Sequence, residues 1–136
     1  MTETARLRQV VLDCTDVRAL AEFYRELLAW GYRPGDETPT DGEDWLVLDN
    51  PAGGVAVAFQ LVDALPDVTW PKGNVPQQEH LDLTVSSAEA LTSEHERVIR
   101  LGARLLRDCS DDPDEQLYVY ADPAGHPFCI FVSTRD

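Results

Sequence analysis

Residues 9–33 read QVVLDCTDVRALAEFYRELLAWGYR and residues 80–104 read HLDLTVSSAEALTSEHERVIRLGAR. Laid over one another at an offset of 71, these two stretches decide the fold. Leu12 falls on Leu83, Ala19 on Ala90, Leu20 on Leu91, Gly31 on Gly102 and Arg33 on Arg104, and Leu27-Leu28 fall on Val98-Ile99. Farther along, Pro51-Ala52-Gly53 recurs as Pro123-Ala124-Gly125 at an offset of 72. Scattered identities could arise by chance. A glycine after each helical stretch and the same turn, recurring in the same order, point to a duplicated module.

Each copy carries the same succession of patterns. Residues 7–14 form an apolar strand, and Asp16 caps a helix over 17–29. Val17, Leu20, Phe23, Tyr24, Leu27 and Leu28 share one helical face, and Gly31 closes the helix. A polar loop over 34–44 precedes strands at 45–49 and 55–62, joined by the turn Asn50-Pro51-Ala52-Gly53-Gly54. A connection with Pro66, Pro71 and Pro76 spans 63–79. The order then restarts: a strand at 80–86, a helix at 88–101 closed by Gly102, and strands at 103–108, 117–121 and 128–133, with an acidic loop at 110–115.

The fold class is therefore α+β. Two βαβββ modules, about 7–62 and 80–133, are expected to build one domain over 1–136. One helix and about four strands cannot bury both faces of a sheet. Two modules are expected to form a mixed, curved, cup-shaped sheet, with helices on its convex face and a ligand on its concave face.

Strand side chains alternate between faces. Val10, Leu12, Cys14, Leu81, Leu83 and Val85 suit packing under the helices. Gln9, Asp13, His80 and Asp82 then face the cup. The same parity places Ala58, Gln60, Cys129 and Phe131 there, unless a bulge reverses it. Trp45, Phe59 and Trp70 are candidate aromatic walls, with Trp70 as part of a lid over the ligand. His80, Asp82 and Asp13 are the catalytic candidates, assisting a reaction through shape and hydrogen bonds. His95 is expected on the solvent side of its helix and His126 is expected to be exposed.

The chain has 136 residues, of which 43% are hydrophobic and 26% charged, an ordinary globular balance. Its formal charge of −14 argues against nucleic acid and against anionic membranes, because phosphate backbones need a basic stripe. No apolar run approaches the ~18 residues of a membrane span. The opening MTETARLRQ lacks the apolar core of a secretion signal, and three cysteines form no disulfide framework. A reducing, cytoplasmic setting is expected. There is no GxGxxG, no GK[ST] and no GxSxG, so nucleotide cofactors and serine hydrolysis have no support.

The run His80-Leu81-Asp82-Leu83-Thr84-Val85, the triplet Leu101-Gly102-Ala103 and the stretch Ala121-Asp122-Pro123-Ala124-Gly125-His126-Pro127-Phe128-Cys129 resemble the vicinal oxygen chelate superfamily. So do Gln9 through Asp16, Phe23-Tyr24 and Leu27-Leu28. This superfamily is the glyoxalase, bleomycin-resistance and extradiol dioxygenase group, and the chain looks most like its glyoxalase-like domain proteins over 7–133.

The resemblance implies a homodimer, a small-molecule ligand and a place for a divalent ion (Zn, Ni, Mn or Fe) on Gln9, Gln60, His80 and Cys129. Gln60 and Cys129 stand where the family usually has Glu. Gln, Gln and His are neutral, so only a thiolate at Cys129 would offset the charge of the ion, and thiolate selects softer metals. The expected function is small-molecule binding without a tightly held metal. The alternatives are a metal-dependent lyase, isomerase or dioxygenase, and a non-catalytic interaction module.

Overall fold

A computed structural model describes residues 3–67, 69, 71, 73–76 and 78–133. It divides into two compact units, 1–65 and 66–136. The first unit runs β1 (Gln9–Cys14), α1 (Val17–Leu28), β2 (Gly31–Tyr32), β3 (Trp45–Asp49) and β4 (Ala56–Leu61). The second runs β5 (Leu81–Val85), α2 (Ala88–Leu101), β6 (Arg104–Cys109), β7 (Leu117–Ala121) and β8 (Pro127–Val132). Each unit is one βαβββ module, and the fold is α+β.

The two sheets have the same topology, β1-β4-β3-β2 and β5-β8-β7-β6. In each, the first strand pairs with the last in parallel and the remaining neighbours are antiparallel. A parallel pair needs a long crossover. The helix and two strands between β1 and β4, and between β5 and β8, supply it.

The helices begin where the sequence says they should. Asp16 accepts from the Ala19 amide at 3.1 Å and Ser87 from the Ala90 amide at 3.1 Å. Each satisfies an amide that the first turn leaves without a helical partner. The ends differ from the expectation. Gly102 closes α2 at φ 116°, but α1 is closed by Ala29 at φ 56°, and Gly31 opens β2. Chain reversal after α1 is tight enough that the left-handed residue comes two positions before the glycine. It is a costly place for a side chain.

Each helix covers one face of its own sheet. Tyr24 stacks on Phe59 with ring centroids 5.8 Å apart, and Phe23 meets Tyr24 edge-on at 5.0 Å. Phe59 is fully buried on this helix-facing side. The expectation that it walls a ligand site is therefore corrected. It sits between Ala58 and Gln60 on β4, and alternation sends it to the opposite face.

In the second unit Tyr120 stacks on Phe128 at 5.1 Å. His95 lies flat on Tyr118 at 4.1 Å, with Nδ1 2.8 Å from the Tyr120 hydroxyl. That corrects the expected solvent-facing His95. The ring gives the buried Tyr120 hydroxyl a hydrogen-bond partner, which a buried hydroxyl requires. Burial pushes the Tyr120 pKa upward.

The polar loop after β2 is tied to α1. Arg18 donates to both oxygens of Glu43 at 2.7 and 2.9 Å and to the Asp36 carbonyl at 2.9 Å. The hydrogen bonds from Arg18 and the Thr40 amide hold the Glu43 carboxyl below its usual range. Asp36 in turn accepts from the Val47 amide at 3.0 Å, fixing the loop to β3.

The recurring Pro-Ala-Gly turn has a recurring anchor. Asn50 accepts from the Ala52 amide at 2.9 Å, and Asp122 accepts from the Ala124 and His126 amides at 2.9 and 3.0 Å. Gly53 and Gly125 adopt φ of 81° and 98°. Asp122 is buried, so its loss leaves two amides without that acceptor. Asp122→Ala is expected to lower the unfolding free energy by about 1–3 kcal/mol in urea denaturation, with Asp122→Asn losing less. A loss within about 0.5 kcal/mol, the range of ordinary surface changes, would contradict this role.

Candidate functional site

The register of the second sheet brings its chemistry to one face. Asp82 on β5 lies opposite Cys129 on β8, which lies opposite Val119 on β7, which lies opposite Arg107 on β6. Thr84, Phe131, Leu117 and Cys109 form the next row. Residues directly opposite one another project to the same side. That side is the one away from Phe128 and Tyr120, the residues packed toward α2.

Over this face lies a concavity of about 350 Å³. Leu117, Val119 and Phe131 give it an apolar floor, and His80, Asp82 and Cys129 group at one part of it. Asp112 and Glu115 enter from the acidic loop. The volume falls in the small-ligand range of ~300–1,000 Å³, and an apolar lining with a few polar groups is what such sites present.

His80 Nε2 and an Asp82 carboxylate oxygen are 3.1 Å apart. The ligating atoms of His80, Asp82 and Cys129 all lie within 4.8 Å of one another. The first two are exposed and Cys129 is buried. Burial, together with the negative charges of Asp82 and Glu115, pushes the Cys129 thiol up to about 11. The neutral thiol is favoured because a thiolate there would lose hydration and face like charge.

In the first sheet Gln9 lies opposite Ala56, Val11 opposite Ala58 and Asp13 opposite Gln60, which also lies opposite Trp45. Gln9, Asp13, Trp45 and Gln60 therefore share the face away from Tyr24 and Phe59. Gln9, Asp13 and Trp45 are half-buried, and Gln60 is exposed. The expected Trp70 lid lies outside the described residues.

The expected ligand set for an ion needs one correction. The offset that carries Gln9 onto His80 also carries the pair Val11–Ala58 onto the pair Asp82–Cys129. Ala58, not Gln60, is the first-unit counterpart of Cys129; Gln60 corresponds to Phe131. Ala58 and Gln60 share one face of β4, so alternation alone does not separate them, and only Gln60 of the two carries a donor. Ala58 has no donor atom, and Gln9 and His80 are neutral donors, so charge at an ion would have to come from Cys129 giving up its proton. The donor chemistry thus does not fit a four-residue set drawn equally from both modules. His80, Asp82 and Cys129 of the second unit are what remain.

Sequence reasoning missed Arg107, Cys109, Asp112, Glu115, Leu117 and Val119 as cavity residues. The alternation of β7 could have found Leu117 and Val119. Arg107 and Cys109 depend on a bulge that no local pattern announces.

The chain matches the model of the glyoxalase-like domain family over residues 9–131. No curated protein matches it significantly in sequence. It is similar in structure to a glyoxalase/bleomycin resistance protein/dioxygenase family enzyme from Burkholderia phytofirmans PsJN, with TM-score 0.69 and 18% identity over 94% of this chain and 98% of that one. A glyoxalase-related enzyme from Fulvimarina pelagi gives 0.66 and 22% over 96% and 89%. A lactoylglutathione lyase from Agrobacterium tumefaciens gives 0.61 and 12% over 98% and 97%. At these identities the likeness is one of fold.

The raised thiol of Cys129 has a chemical consequence. Thiolate is the reacting form, so Cys129 becomes reactive only as pH climbs toward its pKa of about 11. At pH 8 iodoacetamide is expected to modify half-buried Cys109 before Cys129, read by peptide mass spectrometry. Cys129 labelling as fast as Cys109 at pH 8 would show that the thiol is not held neutral.

Proposed function

The chain belongs to the glyoxalase-like domain family, and we propose that it binds a small molecule on the open face of its second sheet without needing a tightly held metal ion. The observation that carries this reading is the concavity where His80, Asp82 and Cys129 border an apolar floor. The floor desolvates the body of a ligand, and the polar group orients it. The His80 ring beside the Asp82 carboxylate offers a group that can hold or pass a proton at a ligand oxygen. Gln9, Asp13, Gln60 and Trp45 belong to the proposal as the polar face of the first sheet. The protein is proposed to act as a homodimer, so sedimentation should give twice the 15.2 kDa chain mass.

Crystals soaked with a mixed fragment set test the location. Bound fragments are expected to gather over Leu117 and Phe131 and to disappear from there in Leu117→Trp, which fills the floor. Fragments that gather elsewhere and ignore the substitution would refute the assignment.

A second reading, a metal-dependent lyase, isomerase or dioxygenase, draws on the three donors within 4.8 Å. A nitrogen, an oxygen and a sulfur suit zinc among the divalent ions, provided the thiol gives up its proton. Elemental analysis of protein purified without chelator separates the readings. The metal-free reading expects less than about a tenth of an equivalent of zinc, nickel, manganese or iron, since structural or catalytic ions bind near-stoichiometrically. Close to one equivalent, lost in Cys129→Ser, would replace it with the second reading.

A further inference from the structure

The antiparallel ladder between β6 and β7 slips within one step. Leu105 lies opposite Tyr120 but Arg107 lies opposite Val119, so Leu106 is an inserted residue. Without that bulge Leu106 would face the cavity, and Arg107 would lie opposite Tyr118, on the side where His95 stacks. A bulge re-aims the side chains that follow it. Here it exchanges a leucine for a guanidinium at the cavity wall.

Arg107 makes no hydrogen bond or ion pair among the described residues. Glu115 lines the same cavity and likewise makes none. Two opposite charges thus border one concavity without closing on each other. The remaining charged groups are already engaged. Asp82 pairs with His80, and Asp112 accepts from the Asp114 amide at 2.9 Å.

A simple anion would meet Arg107 but also the carboxylates of Asp82, Asp112 and Glu115, within a chain of net charge −14. A simple cation would leave the Arg107 guanidinium facing it across a cavity with an apolar floor. Like charges set side by side at one concavity disfavour binding even where both stay in contact with water. A ligand carrying both charges satisfies both sides, with the carboxylate on the guanidinium fork and the ammonium on Glu115. An apolar side chain then rests on Leu117 and Phe131.

We propose that the cavity takes a small zwitterion of amino-acid type, its carboxylate held by Arg107, its ammonium by Glu115, and its apolar side chain by Leu117 and Phe131. This rests on the reading of the concavity as the ligand site.

Three probes that share a phenylethyl body and differ in which charged groups they carry test it: L-phenylalanine with both, 2-phenylethylamine with the ammonium alone and 3-phenylpropionate with the carboxylate alone. Each is titrated at neutral pH into the full chain and followed by amide NMR. L-Phenylalanine is expected to shift the amides of 117–119 and 129–131 and to bind at least about tenfold more tightly than either relative, as one good charged contact allows. Arg107→Gln should reduce it to the level of 2-phenylethylamine, and Glu115→Gln to that of 3-phenylpropionate. Both residues are exposed, so neither substitution removes core packing. If either single-charge probe binds at these residues as tightly as L-phenylalanine, the zwitterion proposal falls and the cavity reading stands. If none of the three shifts these amides, both fall.

Discussion

The parallel pairing of β5 with β8 is the constraint on which the rest of the second unit depends. It sets Asp82 against Cys129 and brings His80 to the same side. A slip of β5 by one residue would turn His80 and Asp82 toward α2 and bring Leu81 and Leu83 to the open face, and a slip of β8 would turn Cys129 inward and Phe128 and Ile130 outward. The slip is opposed by packing. Phe128, Ile130 and Tyr120 are buried, and none of them could take the outer position without exposing a large apolar side chain. The core of the unit thus fixes the position of its polar face. The buried Asp122 holds the turn that leads β7 into β8 and so guards the same register from the other end.

The two units share a topology and differ in chemistry. The positions of His80, Asp82 and Cys129 are held in the first unit by Gln9, Val11 and Ala58. None of these three is ionisable. The two modules present equivalent sheet faces, but only the second has ionisable groups at these three positions, while on the first face Asp13 lies two residues beyond Val11. The burial of Cys129 and its acidic neighbours keep that group uncharged at neutral pH. Its contribution to the face is then a small, polarisable surface rather than an anion.

Much of the fold was legible because it is written in periodicity. The helix over 88–101 and the strand over 117–121 match α2 and β7 residue for residue. The helical stripe of Leu20, Phe23, Tyr24 and Leu27 is buried as its spacing implies. The strand alternation also places His80, Asp82, Cys129 and Phe131 together. What escaped notice has specific causes. Ala58 and Gln60 lie two residues apart on one face of β4, so alternation alone cannot tell which is the counterpart of Cys129. The bulge at Leu106 changes parity inside β6, so Arg107 and Cys109 gave no sign of facing a cavity. Phe59 reads as an aromatic wall until its neighbours Ala58 and Gln60 are assigned to one face. His95 looks polar in a helical projection, yet a ring can lie flat on tyrosines and serve a buried hydroxyl. Two-residue β2 is too short for any periodic pattern to reveal.

The most direct test is the pattern of nuclear Overhauser contacts across β5 and β8 and around the His80 ring in the isotope-labelled protein. Contacts joining Asp82 to Cys129 and Thr84 to Phe131, with the His80 ring close to the Cys129 side chain, are the predicted result. Contacts in a register one residue away, with the His80 ring remote from Cys129, would contradict the single polar face.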